Sequence, residues 1–505
     1  AVVLFVMAKR TAIIDIGSNS ARIVIFERSS RYGFSLICEE KSNVRIAQGA
    51  YKNGGYLQPP SINRAFLALQ SFKNTAESYG ANKILCVATS ALRDAPNGKE
   101  FTRWIKETLG IQIKIIDGKR EALYGGLAAS NLLPVTDAIT VDIGGGSSDI
   151  ALIENGRVVQ THSLDLGTVR LKELFFDGTK ENEKAKTFIH EELKSLPENF
   201  KGKDIIGIGG SVRSIGEVIM KTLSYPLDQL HGFTYKTTEQ KELIEQLISG
   251  NIKTLKKLDI NPSRYDTIRE GALIFLEIAK YIEAENIITS GVGVREGVFL
   301  NSFLKSSNYK FPAHINPSIV NIMDRFSNIL IKKTLQDKRS YAKRLFELFE
   351  DRFGLELTHL SEIQNALNIS NIGRDISVYG SHKHSFYIAS AELNYGFTHE
   401  QIILISTLLA TKKNGKTKKF VYEKYRELLP KKEILHWYSF IYKLSLILGE
   451  KTKKTYCNFS YENQTLTIET DGSLYLAKES IKSLKKPKSF AINIKDKTAI
   501  PKNSL

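Results

Sequence analysis

Apolar residues recur along this chain in two rhythms. Up to about residue 304, short apolar runs of strand length are interleaved with stretches of helical period. Residues 12–16 and 21–26 are apolar runs joined by a small polar loop and predict a hairpin; residues 34–39, 83–88 and 112–116 predict further strands. A glycine-rich loop over 52–60 and the segment 89–95 read as irregular. Helical periodicity marks 62–79, 98–109 and a segment that opens at Asp117 and runs toward Asn131, where Pro134 ends it. The plan then repeats. Strands are predicted over 138–143, 150–153 and 158–163, with Asn155-Gly156 as a type I′ turn. Helices near 169–176 and 183–195, a strand over 204–208, a helix near 264–283 and a strand over 286–289 follow. Gly291-Val292-Gly293 opens a last helix. Beyond residue 304 glycine thins out and helical period dominates from 318 to 448. The tail returns to strand-like runs over 465–469 and 489–494.

Mixed strands with helices between them indicate an α/β layered architecture. The expected division is 7–131 and 132–304 for two α/β domains, 305–450 for a helical domain, and 451–505 for a small α+β subdomain. Repetition is the informative feature. Thr140-Val141-Asp142-Ile143-Gly144-Gly145-Gly146-Ser147-Ser148-Asp149 has the plan of Ile14-Asp15-Ile16-Gly17-Ser18-Asn19-Ser20-Ala21-Arg22: apolar strand, Asp-Ile-Gly, small polar residues, apolar strand. Adjacent glycines reach backbone angles closed to other residues, so successive N–H groups can converge on a phosphate. Asp142, at a strand tip, is placed to hold a divalent cation against it. A tight turn whose glycines serve geometry alone is the plainer reading of either hairpin. The second copy favours phosphate, because two such hairpins would face each other across a cleft.

Charge narrows the ligand. The 505 residues carry a formal net charge of +17, which points to anions such as polyphosphate, nucleotides or nucleic acid. Lysines cluster in the second half (Lys412-Lys413, Lys416, Lys418-Lys419, Lys431-Lys432, Lys485-Lys486). Any one cluster is ordinary solvated surface; together they could extend an anion track. The three cysteines, Cys38, Cys86 and Cys457, lack metal spacing and read as reduced core residues. No apolar run approaches the length of a membrane span. Residues 1–6 lack the marks of a signal peptide, and Met7 reads as the native start.

The two hairpins, Ala88-Thr89-Ser90-Ala91-Leu92-Arg93, Arg120-Glu121-Ala122 and Val294-Arg295-Glu296-Gly297 occur together and in order. Over residues 7–304 they resemble the exopolyphosphatase / guanosine pentaphosphate phosphohydrolase family of the actin-like phosphotransferase superfamily. The resemblance implies two actin-like (ribonuclease H-like) domains around a cleft, then a helical HD-like domain and a small terminal domain. It implies release of terminal phosphate from inorganic polyphosphate, or conversion of pppGpp to ppGpp in the stringent response, with Mg²⁺. It also implies a cytoplasmic homodimer with no membrane or nucleic-acid partner. The family's catalytic glutamate falls on Glu121, with Asp142 beside it. Gly17, Ser18, Asn19, Arg22, Arg93, Gly144, Gly145, Gly146, Ser147 and Ser148 would grip phosphates. Asp142, Asp15 and Asp149 would position the metal; Asp149 stands where the family often has Glu.

Each assignment has an ordinary rival. Glu121 opens a helix, where acids are favoured whatever their function. Arg213 and Arg295 would contact the anion or serve as structural ion-pair partners. The alternative function is an ATP-dependent actin-like kinase or ATPase. Gly209-Gly210-Ser211-Val212-Arg213 keeps the glycines of an adenosine loop and lacks its proline. In the helical half His382 and His384 are candidate metal ligands, yet Ser370-Asn371-Ile372-Gly373 stands where related domains read His-Glu-Ile-Gly. The expectation is a helical scaffold without a working metal site.

Overall fold

The computed structural model describes residues 9–50, 52–176, 182–326, 329–451 and 456–496. Residues 1–6 and Met7 lie outside them. The chain forms two compact units, Ala1–Ile315 and Asn316–Leu505.

The first unit holds two sheets. One has β1 (Lys9–Ile16), β2 (Ala21–Arg28), β3 (Phe34–Ser42), β4 (Lys83–Ala88) and β5 (Ile113–Ile115), in the order β3-β2-β1-β4-β5. The other has β6 (Ala138–Ile143), β7 (Ser148–Glu154), β8 (Arg157–Leu164), β9 (Ile205–Ile208), β10 (Thr234–Lys236) and β11 (Asn286–Thr289), in the order β10-β11-β9-β6-β7-β8. From β8 inward this is the first order again, with β10 added at the edge. In both sheets the leading hairpin is antiparallel and its first strand runs parallel to the next one. The register repeats too. Asp15 lies opposite Arg22 and Ile16 opposite Ala21; Asp142 lies opposite Asp149 and Ile143 opposite Ser148. Asn155 and Gly156 join β7 to β8 with φ of 51° and 68°, the pair of positive angles a type I′ turn requires.

Helices α1 (Pro59–Ser78), α2 (Ser90–Arg93), α3 (Gly98–Leu109) and α4 (Gly118–Leu132) accompany the first sheet along the chain. Helices α5 (Thr168–Leu171), α6 (Asn182–Leu193), α7 (Gly210–Thr222), α8 (Thr237–Ser249), α9 (Ile252–Lys257), α10 (Ile268–Ile282) and α11 (Val294–Phe303) accompany the second. The 89–95 segment therefore contains a helical turn rather than a plain loop. Helix α10 starts later than its periodicity suggested, because Pro262–Arg264 form a 3₁₀ turn ahead of it.

Packing crosses the boundary that the sequence draws at 131/132. Helix α4 lies on the second sheet: a Cβ on Gly126 would come within 2.9 Å of Ala151 and 2.7 Å of Val158. Helix α11 lies on the first: Phe299 stacks on Phe26 at 4.4 Å, and Phe303 meets Phe34 at 5.5 Å. The two helices touch at Gly297, where a Cβ would stand 2.0 Å from the Tyr124 carbonyl oxygen. Each lobe is thus completed by a helix from the other. The segment after residue 304 stays with this unit, since Asn131 donates to the Tyr309 carbonyl (3.1 Å) and accepts from the Phe311 N–H (3.1 Å).

The second unit is mostly helical: α12 (Pro317–Phe326), α13 (Ile329–Phe353), α14 (Leu360–Asn368), α15 (Ser381–Glu392), α16 (His399–Leu409), α17 (Lys419–Lys424) and α18 (Lys432–Lys451). Helices α13 and α18 share an aromatic seam, with Phe353 stacked on Trp437 at 4.1 Å. The tail adds β12 (Cys457–Glu462), β13 (Thr465–Thr470), α19 (Tyr475–Lys482) and β14 (Ala491–Lys495) as a three-stranded sheet. Phe490 pins it to the seam, 5.9 Å from Trp437 and parallel to it. Among the described residues no helix is long and apolar enough to cross a membrane.

Candidate active site

The two hairpin tips meet in the first unit. A Cβ on Gly145 would stand only 2.7 Å from the Ser18 Cβ, so a side chain at residue 145 would push the lobes apart. Each loop closes with the same bond, Gly17 N–H to Ser20 C=O (3.0 Å) and Gly144 N–H to Ser147 C=O (2.9 Å). Contrary to the expectation of backbone angles closed to other residues, none of Gly144, Gly145 and Gly146 takes a positive φ. Gly144 and Gly145 serve for room rather than for unusual angles: a Cβ would stand 3.1 Å from the Ser147 carbonyl oxygen at the first and 2.7 Å from the Ser18 Cβ at the second.

What frees the amides is where the carbonyls go. Ser18 and Asn19 carbonyls accept from Ala47 (3.2 Å) and Arg45 (2.8 Å); Gly144 and Gly145 carbonyls accept from Thr168 (3.0 Å) and Val169 (2.8 Å). In a planar trans peptide the N–H points opposite to its own C=O. The N–H groups of Asn19, Ser20, Gly145 and Gly146 are therefore turned away from these loops. Among the described residues none of the four has a partner. Unpaired N–H groups on two apposed loops form an anion cradle.

A cavity of about 140 Å³ lies against these loops. Asp15, Glu121 and Asp142 line it together with Arg22, Arg213, Arg264 and Arg295. Gly17, Ser18, Asn19, Gly144, Gly145 and Ser147 line it as the sequence led one to expect. Glu121 sits in the first turn of α4, whose N-cap Asp117 accepts from the Arg120 N–H at 2.7 Å. Its carboxyl is 12% exposed, and its Oε2 is buried without a hydrogen-bond partner. Burial, then the charges of Asp149, Asp142 and Asp15, push its pKa well above the usual carboxylate range. Burial raises Asp15 likewise and pushes Asp142 up to about 6.

Four expected residues do not line the cavity. Arg93 stands behind Glu121 with its Nη1 3.8 Å from Oε2, and also bonds Asp94 and the Ile116 carbonyl. The Ser148 hydroxyl donates to the Leu166 carbonyl (2.6 Å) inside the core. Gly146 is buried in its loop. Asp149 accepts from Ser163 (2.6 Å) and Ser147 (3.1 Å), 2% exposed. Its carboxyl also lies against the start of α4, where a Cβ on Gly118 would be 2.8 Å from it. Burial pushes this pKa to about 7.

Three residues that sequence reasoning passed over matter here. Glu39, within β3, accepts from both Arg22 (2.8 Å) and Arg295 (2.6 Å) through one oxygen. The Arg264 guanidinium lies on Gly210, where a Cβ would stand 1.9 Å from it. Ser90 pairs with Ser18 at 3.1 Å. Arg264 and Glu39 sit in no motif, so only the folded chain brings them in. Burial, with Arg295 and Arg22 nearby, lowers Arg213 to about 10. Further bonds tie the lobes together across the cleft: Asp94 to Arg170 (3.2 Å), Arg45 to Asp266 (3.1 Å) and the Gly49 N–H to Glu173 (3.2 Å).

The carboxylates suit a divalent cation that keeps part of its water. Glu121 has an orphaned buried oxygen, and burial has raised the pKa values of its neighbours. Among the described residues no three His, Cys, Asp or Glu side chains converge as direct ligands. Partial hydration of this kind is typical of Mg²⁺.

Fold and cleft together define a two-lobed α/β protein of duplicated design, with paired hairpins facing each other at a cavity lined by four arginines. The chain belongs to the Ppx/GppA phosphatase family, whose model matches residues 24–306. A curated relative, the bifunctional 3-dehydroquinate synthase/phosphatase of Fusobacterium nucleatum, is 32% identical over 298 residues, 55% of this chain and 44% of that protein. The chain therefore spans less than half of that relative. A crystal structure of the Aquifex aeolicus member of the Ppx/GppA family is 27% identical with a TM-score of 0.51, covering 59% of this chain and 98% of that one. An exopolyphosphatase from Cytophaga hutchinsonii shares the fold at 20% identity and a TM-score of 0.53, covering 58% of this chain and 98% of that one.

Proposed function

We propose that the chain is a phosphohydrolase that removes the terminal phosphate from a phosphoanhydride chain, inorganic polyphosphate or the 5′ end of pppGpp. The observation that carries this reading is the orphaned Glu121 oxygen beside two apposed hairpins with unpaired amides. The amides of Asn19, Ser20 and Gly145, all residues that line the cavity, hold the terminal phosphate by charge-assisted hydrogen bonds. Arg22, Arg213 and Arg295 pair with the phosphates behind it, Glu39 keeping two of them aligned. Glu121 orients a water in line with the terminal phosphorus and takes its proton. The new P–O bond forms as the bridging P–O bond breaks, and the shortened chain leaves with the electron pair. Mg²⁺ held near Asp142 and Asp15 would neutralise phosphate charge and return Glu121 to its ionised form. Arg93 positions Glu121, and Asp149 holds the start of α4 in place from behind.

The ATP-using alternative has less support. Arg264 takes the space above Gly210, so the loop that would seat an adenosine presents a cation. In the second unit we read α12–α18 as an HD-like scaffold, with His382 and His384 on α15. Homodimerisation through this unit in the cytoplasm belongs to the same reading; a monomeric mass by light scattering would remove the dimer. The deciding experiment is phosphate release from long-chain polyphosphate and from pppGpp with Mg²⁺, for wild type and Glu121→Gln. Wild-type release that falls about a thousandfold in a variant that still binds substrate supports both reaction and base. No release from either substrate overturns the reading.

A further inference from the structure

Strand β14 (Ala491–Lys495) is the outer strand of the three-stranded tail sheet and pairs on one side only, with β13. The Ala491 N–H donates to the Gln464 carbonyl (2.8 Å), so its main chain faces β13. Direction alternates along a strand, so Asn493 and Lys495 face β13 as well. The N–H and C=O groups of Ile492 and Ile494 therefore point outward, and among the described residues they have no partner. Helix α19 (Tyr475–Lys482) flanks this open edge. Asp496 accepts from the Leu474 N–H (3.1 Å) and from Lys478 (2.6 Å), which ties the start of the helix to the end of the strand.

Between helix and strand runs a groove of about 340 Å³, floored by Ile481, Leu484, Ile492 and Ile494. Leu466 and Ile468, on the same face of the inner strand, are fully buried and do not line it, so the groove follows the outer edge. Lysines rim it: Lys478, Lys482 and Lys486 are lining residues, and none of the lining residues is acidic. Lys478 is engaged by Asp496, and Lys482 meets Glu479 (3.2 Å) on the exposed side of the helix. Lys485, Lys486 and Lys488, in the segment entering β14, form no salt bridge among the described residues. An open strand edge beside an apolar groove is a template for one more strand.

We propose that this edge and groove bind an extended, acidic segment of a partner protein, which joins the tail sheet as a further strand. The outward N–H and C=O groups select extended backbone, and the isoleucines select apolar side chains at alternate positions. The lysine rim, with no acid lining the groove, selects acids between them. The chain's own residues 497–505 are poorly matched, since they carry Lys497, Pro501 and Lys502 and no acidic side chain. The site lies within the second unit and does not depend on chemistry at Glu121.

The test titrates the full chain with a fluorescein-labelled peptide of alternating glutamate and valine, read by anisotropy. Wild type should bind it saturably, and should bind a lysine–valine peptide about tenfold more weakly, since like charges then meet. A glutamate–valine peptide N-methylated at every amide keeps side chains and charge but cannot donate to the edge, and should also lose about tenfold. Hydrogen exchange over residues 490–495 should slow when the unmethylated peptide is bound. Lys482→Glu/Lys486→Glu should weaken binding about tenfold, and Lys482→Arg/Lys486→Arg should retain it, which guards against a folding artefact. A chain ending at residue 496 should bind as wild type does. The proposal is overturned by no saturable binding, by equal binding of the methylated peptide, or by unchanged binding in the glutamate pair. Binding that appears only once 497–505 are removed would assign the edge to the chain's own end. A light-scattering mass that falls as peptide binds would assign it to a second copy of the chain, and either result also overturns the proposal.

Discussion

The two hairpins share strand order, register and loop closure, and differ in the residue that faces the aspartate. Opposite its aspartate the first hairpin has Arg22, and the second has Asp149. Arg22 lines the cavity; Asp149 turns to two hydroxyls and the start of α4. A duplicated scaffold thus serves two ends: one copy places a cation at the cavity, and the other lies against the start of the helix that carries Glu121. Similar backbone does not mean similar chemistry, and the difference can be tested at five positions.

The largest effect is expected at the shared aspartate. Asp142→Asn should lower phosphate release about a hundred- to a thousandfold at saturating substrate, by removing the carboxylate proposed to hold the cation. Next comes the contact between the tips. Gly145→Ala places a methyl where Ser18 stands, and the shift should lower kcat about a hundredfold. Ser18→Gly in the same chain should restore part of the loss; no recovery would mean the tips do not set each other's position.

Arg22→Ala should raise KM for polyphosphate about tenfold with little change in kcat, and Arg22→Asp, which copies the second hairpin, more. Equal KM in all three proteins would remove Arg22 from substrate binding. Asp149→Asn should change activity least, within about twofold, because its bonds to Ser163 and Ser147 survive in the amide. Its signature is in stability. An acid with a folded pKa of about 7 against 3.8 keeps its proton in the folded state while the unfolded chain has released it. Stability therefore falls as pH rises from about 4 to 7. Melting curves of Asp149→Asn over that range should fall less steeply than wild type; parallel curves would contradict the burial of a charge here.

Much of this site was legible. Asp-Ile-Gly between two apolar runs, twice, marked both hairpins, because a strand–loop–strand motif is local in sequence. Glu121 was reached through the family resemblance, since a helix start favours an acid whatever its role. The rest depends on distant chain. The amides are freed by residues 45–47 and 168–170, which carry no motif. Glu39 and Arg264 reach the cleft only through tertiary packing. The resemblance set Asp149 beside the metal, at a position where the family often has Glu; Ser163, whose hydroxyl it accepts, lies on another strand and carries no motif. Helix α7 opens with two glycines, weak helix formers, and so hid from pattern. The tail strands at 465–469 and 489–494 were readable from alternation, whereas β12 was not marked.

The exchanged helices have a consequence for synthesis. The ribosome releases the first sheet early, yet Phe26 and Phe34 keep an open apolar face until Phe299 and Phe303 have been made. The lobe that begins the chain is among the last parts to close, and its partner lobe must be present to close it. A nascent chain stalled anywhere before residue 294 would present that face to chaperones, so the two halves of the cleft mature together or not at all.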